Sequence, residues 1–173
     1  TITPKVNGCP GNPVQVTVEV KPLPDVTANP DSMTICSEES TNIALTSSVP
    51  GTTFSWVVLQ NGVNGAAPGT GNVIQQQLTT VSYLPGTVEY HITANNNGCP
   101  GETTIVTVNV NPLPQAIGSS AYTICSGTET AISLSSFVSG TTFEWTVVQN
   151  GVSGASDGTS SGEILQVLET TGT

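Results

Sequence analysis

The sequence predicts an all-β chain built from tandem β-sandwich repeats of about 90 residues. Internal repetition, period-two alternation of apolar residues, and closely spaced turn signals all point to it. Residues 36–71 align with 125–160 at a constant offset of 89, with 21 of 36 positions identical. Self-similarity at a fixed period is the mark of a repeat architecture. The shared core reads Gly-Thr-Thr-Phe-x-Trp-x-Val-x-Gln-Asn-Gly-Val-x-Gly-Ala, at 51–66 and again at 140–155. Residues 1–24 align with 91–114 at an offset of 90, and both carry Asn-Gly-Cys-Pro-Gly, an alternating valine run and Pro-Leu-Pro. The expected division is the end of one repeat (1–24), a complete repeat (25–114) and the front of another (115–173), with a permuted frame of 1–90 and 91–173 as the alternative. Beginning and ending mid-repeat is what a window on a longer protein would show.

Val14, Val16, Val18 and Val20 alternate with polar residues, and Val106, Val108 and Val110 repeat the device. Such alternation reads as a half-buried strand. Phe54, Trp56 and Val58 alternate likewise, as do Val88, Tyr90 and Ile92, while Ile43 with Leu45, and Ile74 with Gln76 and Leu78, suggest two shorter strands. Turn clusters fall at 37–40, 49–51, 60–62 and 84–86. No window carries a 3.6-residue period. Strands are expected near 26–35, 41–48, 52–60, 72–80, 86–94 and 103–111, with a short one at 62–67. About seven short strands with turns roughly every 8–12 residues is the pattern of an immunoglobulin-like sandwich. Its core anchors are Phe54, Trp56 and Tyr90, with Phe143 and Trp145 in the next copy. Alternation turns both tryptophans inward rather than toward a sugar. Tyr90, shortly after Pro85-Gly86, falls where a tyrosine corner would lie. Pro22-Leu23-Pro24 and Pro112-Leu113-Pro114 read as stiff extended connectors that string units into a semi-rigid rod.

Composition narrows the function. Charged residues make up 8% of the chain, against about 25% in ordinary globular domains. The net charge is −10, with Lys5 and Lys21 the two basic residues and no arginine. Nucleic-acid binding needs a basic footprint, and attraction to an anionic membrane surface needs basic clusters; neither exists here. No signal peptide or transmembrane run is present, which carries no information in an internal fragment; direct membrane insertion is not expected. Trypsin-like proteases find almost nothing to cut, which suits life outside the cell.

The four cysteines Cys9, Cys36, Cys99 and Cys125 occupy two recurring positions. No pair has metal-ligand spacing, and disulfides in an oxidising compartment are the better reading. Three pairings stay open. One bridge within each repeat, Cys36–Cys99, is favoured slightly, although those positions belong at opposite poles of a standard sandwich. Cys9–Cys36 with Cys99–Cys125 pairs all four. The third joins the A–B turn of one domain to the F–G loop of its successor.

A catalytic site is not expected, because the single His91 becomes Thr1 in the sister copy and almost no carboxylate recurs. No cofactor is expected either. Asp25, Asp31, Glu38, Glu39 and Glu102 could offer oxygen ligands to calcium near domain junctions. Position 25 becomes Gln115, however, and Glu38-Glu39 becomes Gly127-Thr128, so solvated turn carboxylates are the stronger reading.

Thr52-Thr53-Phe54-Ser55-Trp56 and Tyr83-Leu84-Pro85-Gly86, leading to Tyr90-His91-Ile92, resemble PKD domains. The usual Trp-Asp-Phe-Gly-Asp-Gly run is replaced by Trp56-Val57-Val58-Leu59-Gln60-Asn61-Gly62. A closer resemblance is to the PKD-like repeat of giant Bacteroidetes surface proteins, including adhesins of gliding motility and type IX secretion. Thr34-Ile35-Cys36-Ser37, Gly51-Thr52-Thr53-Phe54, Gly62-Val63-x-Gly65-Ala66, Asn97-Gly98-Cys99 and Asn111-Pro112-Leu113-Pro114 carry it. The resemblance implies an extracellular, non-enzymatic stalk or spacer at the cell surface. Its partners would be neighbouring repeats, with surface glycans or lateral self-association as further candidates. The alternative is a carbohydrate- or protein-binding accessory module of a secreted protein. Asp31-Ser32-Met33 resembles the O-glycosylation motif of the same bacteria, making Ser32 a candidate acceptor.

Overall fold

The structure, a computed structural model, describes residues 1–119 and 121–172. It opens on a hairpin of β1 (Lys5–Val6) and β2 (Cys9–Pro10). The turn residues Asn7 and Gly8 have φ of 46° and 85°, the left-handed pair that an Asn-Gly hairpin turn requires. Ile2 and Val14 exchange backbone hydrogen bonds of 2.7 and 2.9 Å. Past Val14 the chain forms no strand until β3.

The central unit contains β3 (Thr27–Asn29), β4 (Ser32–Cys36), β5 (Ile43–Thr46), β6 (Thr53–Asn61), β7 (Val63–Asn64), β8 (Gly69–Thr70), β9 (Val73–Ile74), β10 (Thr79–Thr80), β11 (Gly86–Asn96) and β12 (Cys99–Asn111). They form a five-stranded sheet in the order β4-β12-β11-β6-β8 and a facing three-stranded sheet, β3-β5-β9, with β7 and β10 paired separately. The all-β sandwich expected from the alternation is therefore present. The strands expected at 86–94 and 103–111 extend into one long hairpin, turned at Asn97 and Gly98 with φ of 50° and 84°.

Two expected strands divide. The segment 26–35 gives β3, antiparallel to β5, and β4, parallel to β12. Pro30, which follows a cis peptide bond, has no N–H to donate and marks the point where the chain changes sheets. The segment 72–80 gives β9 and β10, because the Thr41 side chain takes over between them. Its Oγ1 donates to the Ile74 carbonyl and accepts from the Gln76 amide, both at 3.0 Å.

Between the sheets lie Ile43, Leu45, Phe54, Trp56, Ile74, Leu78, Val88, Tyr90, Ile92, Val106, Val108 and Val110, all buried. Trp56 packs on Gly69 so closely that a Cβ there would stand 2.6 Å from its ring, and Gly158 meets Trp145 at the same distance. Tyr90 departs from the expected tyrosine corner. It sits in mid-strand, and its hydroxyl donates to Gln76 Oε1 at 2.9 Å instead of to nearby backbone. Gln76 Nε2 and Trp56 Nε1 both donate to the Ala67 carbonyl, at 2.8 and 3.1 Å.

Residues 115–172 repeat this design incompletely, as β13 (Ile117–Gly118), β14 (Thr128–Glu129), β15 (Ile132–Ser135), β16 (Phe143–Trp145), β17 (Val152–Ser153), β18 (Gly158–Ser160), β19 (Glu163–Ile164) and β20 (Val167–Thr170). The pairing Ile132↔Ile164 matches Ile43↔Ile74, and Phe143↔Ser160 with Trp145↔Gly158 matches Trp56↔Gly69 in register. Thr130 and Trp145 make the same hydrogen bonds as Thr41 and Trp56. The match to the central unit runs through β20, the counterpart of β10. The stretch 122–126, equivalent to β4, forms no strand, and Trp145 is only half-buried.

One expectation is corrected outright. Val14, Val16, Val18 and Val20 do not form a half-buried strand; Val18 is 77% exposed, whereas its equivalent Val108 is fully buried. Val108 lies between β4 and β11 beneath the second sheet, and no described residue takes those places around Val18. Val108→Ala should therefore cost about 2 kcal/mol of unfolding free energy, and Val18→Ala no more than about 0.5 kcal/mol, measured by urea denaturation of the central unit's cooperative transition. Tyr90→Phe should cost about 1 kcal/mol in the same assay, through the lost hydrogen bond to Gln76.

Candidate functional site

The two poles of the central unit and the outer face of its larger sheet are the surfaces left for function. The entrance pole is set by the connector. Pro24 is buried, and its carbonyl lies so close over Gly101 that any Cβ at 101 would overlap it. The next residue, Asp25, is held by the loop after β5. Ser47 Oγ, the Ser48 amide and Ser48 Oγ donate to its Oδ1 at 2.7, 2.7 and 2.8 Å. The Ser47 hydroxyl first, then the Ser48 donors, lower the Asp25 carboxyl from 3.8 to about 2. The carboxylate considered as a calcium ligand is thus engaged as an acceptor that seals the entrance.

The exit pole lies at the far end of β12, where Asn111 pairs with Cys36. Here the Tyr83 ring stacks on Phe137, with centroids 4.8 Å apart and planes at 30°. The contact joins the central unit to the segment after it. Phe137 replaces Ser48 of the sister copy, so this clamp belongs to one junction.

All four cysteine thiols are free, and the geometry separates them. Cys36 stands beside Asn111, while Cys99 opens the same thirteen-residue strand. At about 3.3 Å per residue the two positions lie about 40 Å apart, and a disulfide needs a Cα separation of about 6 Å. The slightly favoured Cys36–Cys99 bridge within one repeat is corrected on that ground. Cys99 belongs to the entrance pole and Cys36 to the exit pole.

Phe54, Trp56, Tyr90 and Phe143 are buried as expected of core anchors, and Trp145 is half-buried. Ser32 begins the edge strand β4 and is exposed, its hydroxyl donating to Asp31 Oδ1 at 3.3 Å. Glu39 Oε2 accepts from the Cys36 amide at 2.7 Å, Glu38 sits at a φ of 76°, and Glu102 lies near Pro24 and Asp25. Among the described residues no three of His, Cys, Asp and Glu converge to hold a metal ion. On the outer face His91 lies in register between Val57 and Ile105, with its Nε2 3.2 Å from Glu89 Oε2. Val57, Leu59 and Ile105 around this pair are exposed.

The hydrogen-bonding roles of Thr41 and Gln76 escaped sequence reasoning, which places Gln76 only by its alternation with Ile74 and Leu78. The signal was available, since both recur as Thr130 and Gln166, but polar residues inside a β pattern read as surface.

Two packed sheets, a buried tryptophan on the third main strand and closed hydrogen bonding define a sandwich module of immunoglobulin type. More particularly, residues 33–114, from β4 to the exit connector, match the family pattern of the PKD-like domain. Comparison with curated proteins finds no match.

Asp25 supplies a test of the entrance seal. Because its folded-state pKa is depressed, its contribution is present above about pH 4 and fades as pH falls toward 2. Carboxyl-resolved NMR titration should place the Asp25 midpoint near 2, and Ser47→Ala should move it toward the ordinary value of 3.8.

Proposed function

We propose that this chain is a non-enzymatic structural spacer from an extracellular cell-surface adhesin or filament, with 1–24, 25–114 and 115–173 belonging to successive PKD-like repeats. The setting would be that of the Bacteroidetes gliding-motility and type IX secretion adhesins whose repeats it resembles, with the neighbouring repeats as its first partners. The observation that carries this reading is the placement of the connectors. The chain enters the central unit beside Gly101 and leaves past Asn111, at opposite ends of β12. Units joined this way extend in line and transmit tension along their long strands. Each Pro-Leu-Pro adds a short stiff spacer, and the Tyr83–Phe137 stack restrains bending at the exit.

Ser32, exposed on the edge strand, suits a glycan that blunts edge-to-edge pairing. A binding role has one supporting observation, the exposed Val57, Leu59 and Ile105 around His91. This patch is not repeated, since the aligned residues are Thr146, Val148 and Gln15. That favours the spacer.

Small-angle scattering at high dilution should give an extended particle, and a compact globule would count against the spacer. Tyr83→Ala should broaden the distribution of angles between the central unit and the segment after it, read from residual dipolar couplings, with unfolding of the central unit unchanged within about 0.5 kcal/mol. Glycan-array binding by the chain would instead favour the accessory-module reading.

A further inference from the structure

The cysteines form two series, and each series is held the same way in both of its copies. Cys9 and Cys99 follow Asn-Gly turns, with φ of 46° and 85° before the first and 50° and 84° before the second. Cys36 ends the edge strand β4 and has its amide bound by Glu39 Oε2 at 2.7 Å. Its counterpart Cys125 has its carbonyl bound by Thr128 Oγ1 at 2.6 Å. Hairpin cysteines and edge cysteines therefore occupy preset places that recur at offsets of 90 and 89.

The joint after the central unit shows what each series faces. On the exit side, Cys36 pairs in register with Asn111, the residue before Pro112. Its neighbour Ser37 lines an open groove with Tyr83, Pro112 and Leu113. Tyr83 reaches across to stack on Phe137, which lies in the loop equivalent to 47–51. In the central unit that loop seats the β11–β12 hairpin, since Asn96 Nδ2 donates to the Pro50 carbonyl at 2.9 Å. The connector meets the same hairpin, with Pro24 over Gly101. Cys99 stands two residues farther out, about 7 Å along the strand toward Pro22.

The two Pro-Leu-Pro connectors are equivalent, so both sides of a joint can be placed on one of them. Lys21 corresponds to Asn111, which puts an edge cysteine beside position 21. The hairpin cysteine of the following unit lies alongside position 22. Those places are one residue apart, whereas Cys36 and Cys99 of a single unit are separated by about 40 Å. A disulfide takes a Cα separation of about 4.4–6.8 Å. The pair across a joint falls within that reach, and the pair within a unit does not.

We propose that each joint is stapled by a disulfide from the edge cysteine of one repeat to the hairpin cysteine of its successor. The proposal rests on the reading of the chain as successive repeats. Every joint then receives one cysteine of each series. A disulfide oxidant such as oxidised glutathione drives the step. Two thiols give up their protons and two electrons, one Sγ–Sγ bond forms, and glutathione disulfide is reduced to two glutathione thiols. The bridge adds a second covalent tie beside the connector, so the joint bends less when oxidised while the cores of the units stay as they are.

The full chain with its central unit duplicated in tandem, 1–114 followed by 25–173, contains one such pair: Cys36 of the first unit and Cys99 of the second. After oxidation, peptide mapping of the monomer should find that link, with the other cysteines still titratable. Cys36→Ser in the first unit should abolish it, and the same change in the second unit should not. Residual dipolar couplings should show a narrower spread of angles between the two units in the oxidised form. A Cys36–Cys99 link within one unit, or folded units that stay unbridged after oxidation, overturns the proposal. A nitroxide on Cys36 of the unduplicated chain, its other cysteines changed to serine, checks the placement independently. It should broaden the amide signals of Leu113 and Phe137 and spare those of Asn97 and Gly98; the reverse pattern overturns the staple. A bridged chain that scatters as a compact globule would sink the spacer and keep the staple, and an extended chain without a bridge would do the opposite.

Discussion

The placement of β12 between a parallel neighbour and an antiparallel one governs this protein. Its valines reach full burial because β4 and β11 close both edges and the second sheet covers the inner face. The same alternating run at 14–20 has no such neighbours among the described residues and is exposed. A strand's apolar face becomes core only when the sheet around it is complete, because burial of apolar area and pairing of the backbone come from other segments.

A second layer of organisation survives where the sheet is incomplete. Thr41, Gln76 and Trp56 stitch the loops around β9 by hydrogen bonds to backbone, and Thr130, Gln166 and Trp145 make the same bonds in 115–172. The threonine bonds reach 33 to 36 residues along the chain, and all of these bonds need specific donors and acceptors rather than a large core.

The poles connect fold to role. Pro24 over Gly101, Asp25 held by its serines, and Tyr83 on Phe137 turn entrance and exit into defined joints. The β12 strand that separates the joints also keeps Cys36 and Cys99 apart. Cysteine positions that looked like one internal staple stand at opposite poles, because strand length exceeds the reach of a disulfide several times over.

The sequence by itself determined the all-β class, the 90-residue period, the hairpin turns at Asn-Gly, and the inward tryptophans. These follow from near-neighbour rules: side chains alternate along a strand, and few residues tolerate a positive φ. Only the tertiary structure decided that 26–35 splits between two sheets, that Tyr90 bonds Gln76 instead of nearby backbone, and that Cys36 and Cys99 stand at opposite poles. Each of those depends on which distant segment lies alongside, and alternation carries no record of the neighbour.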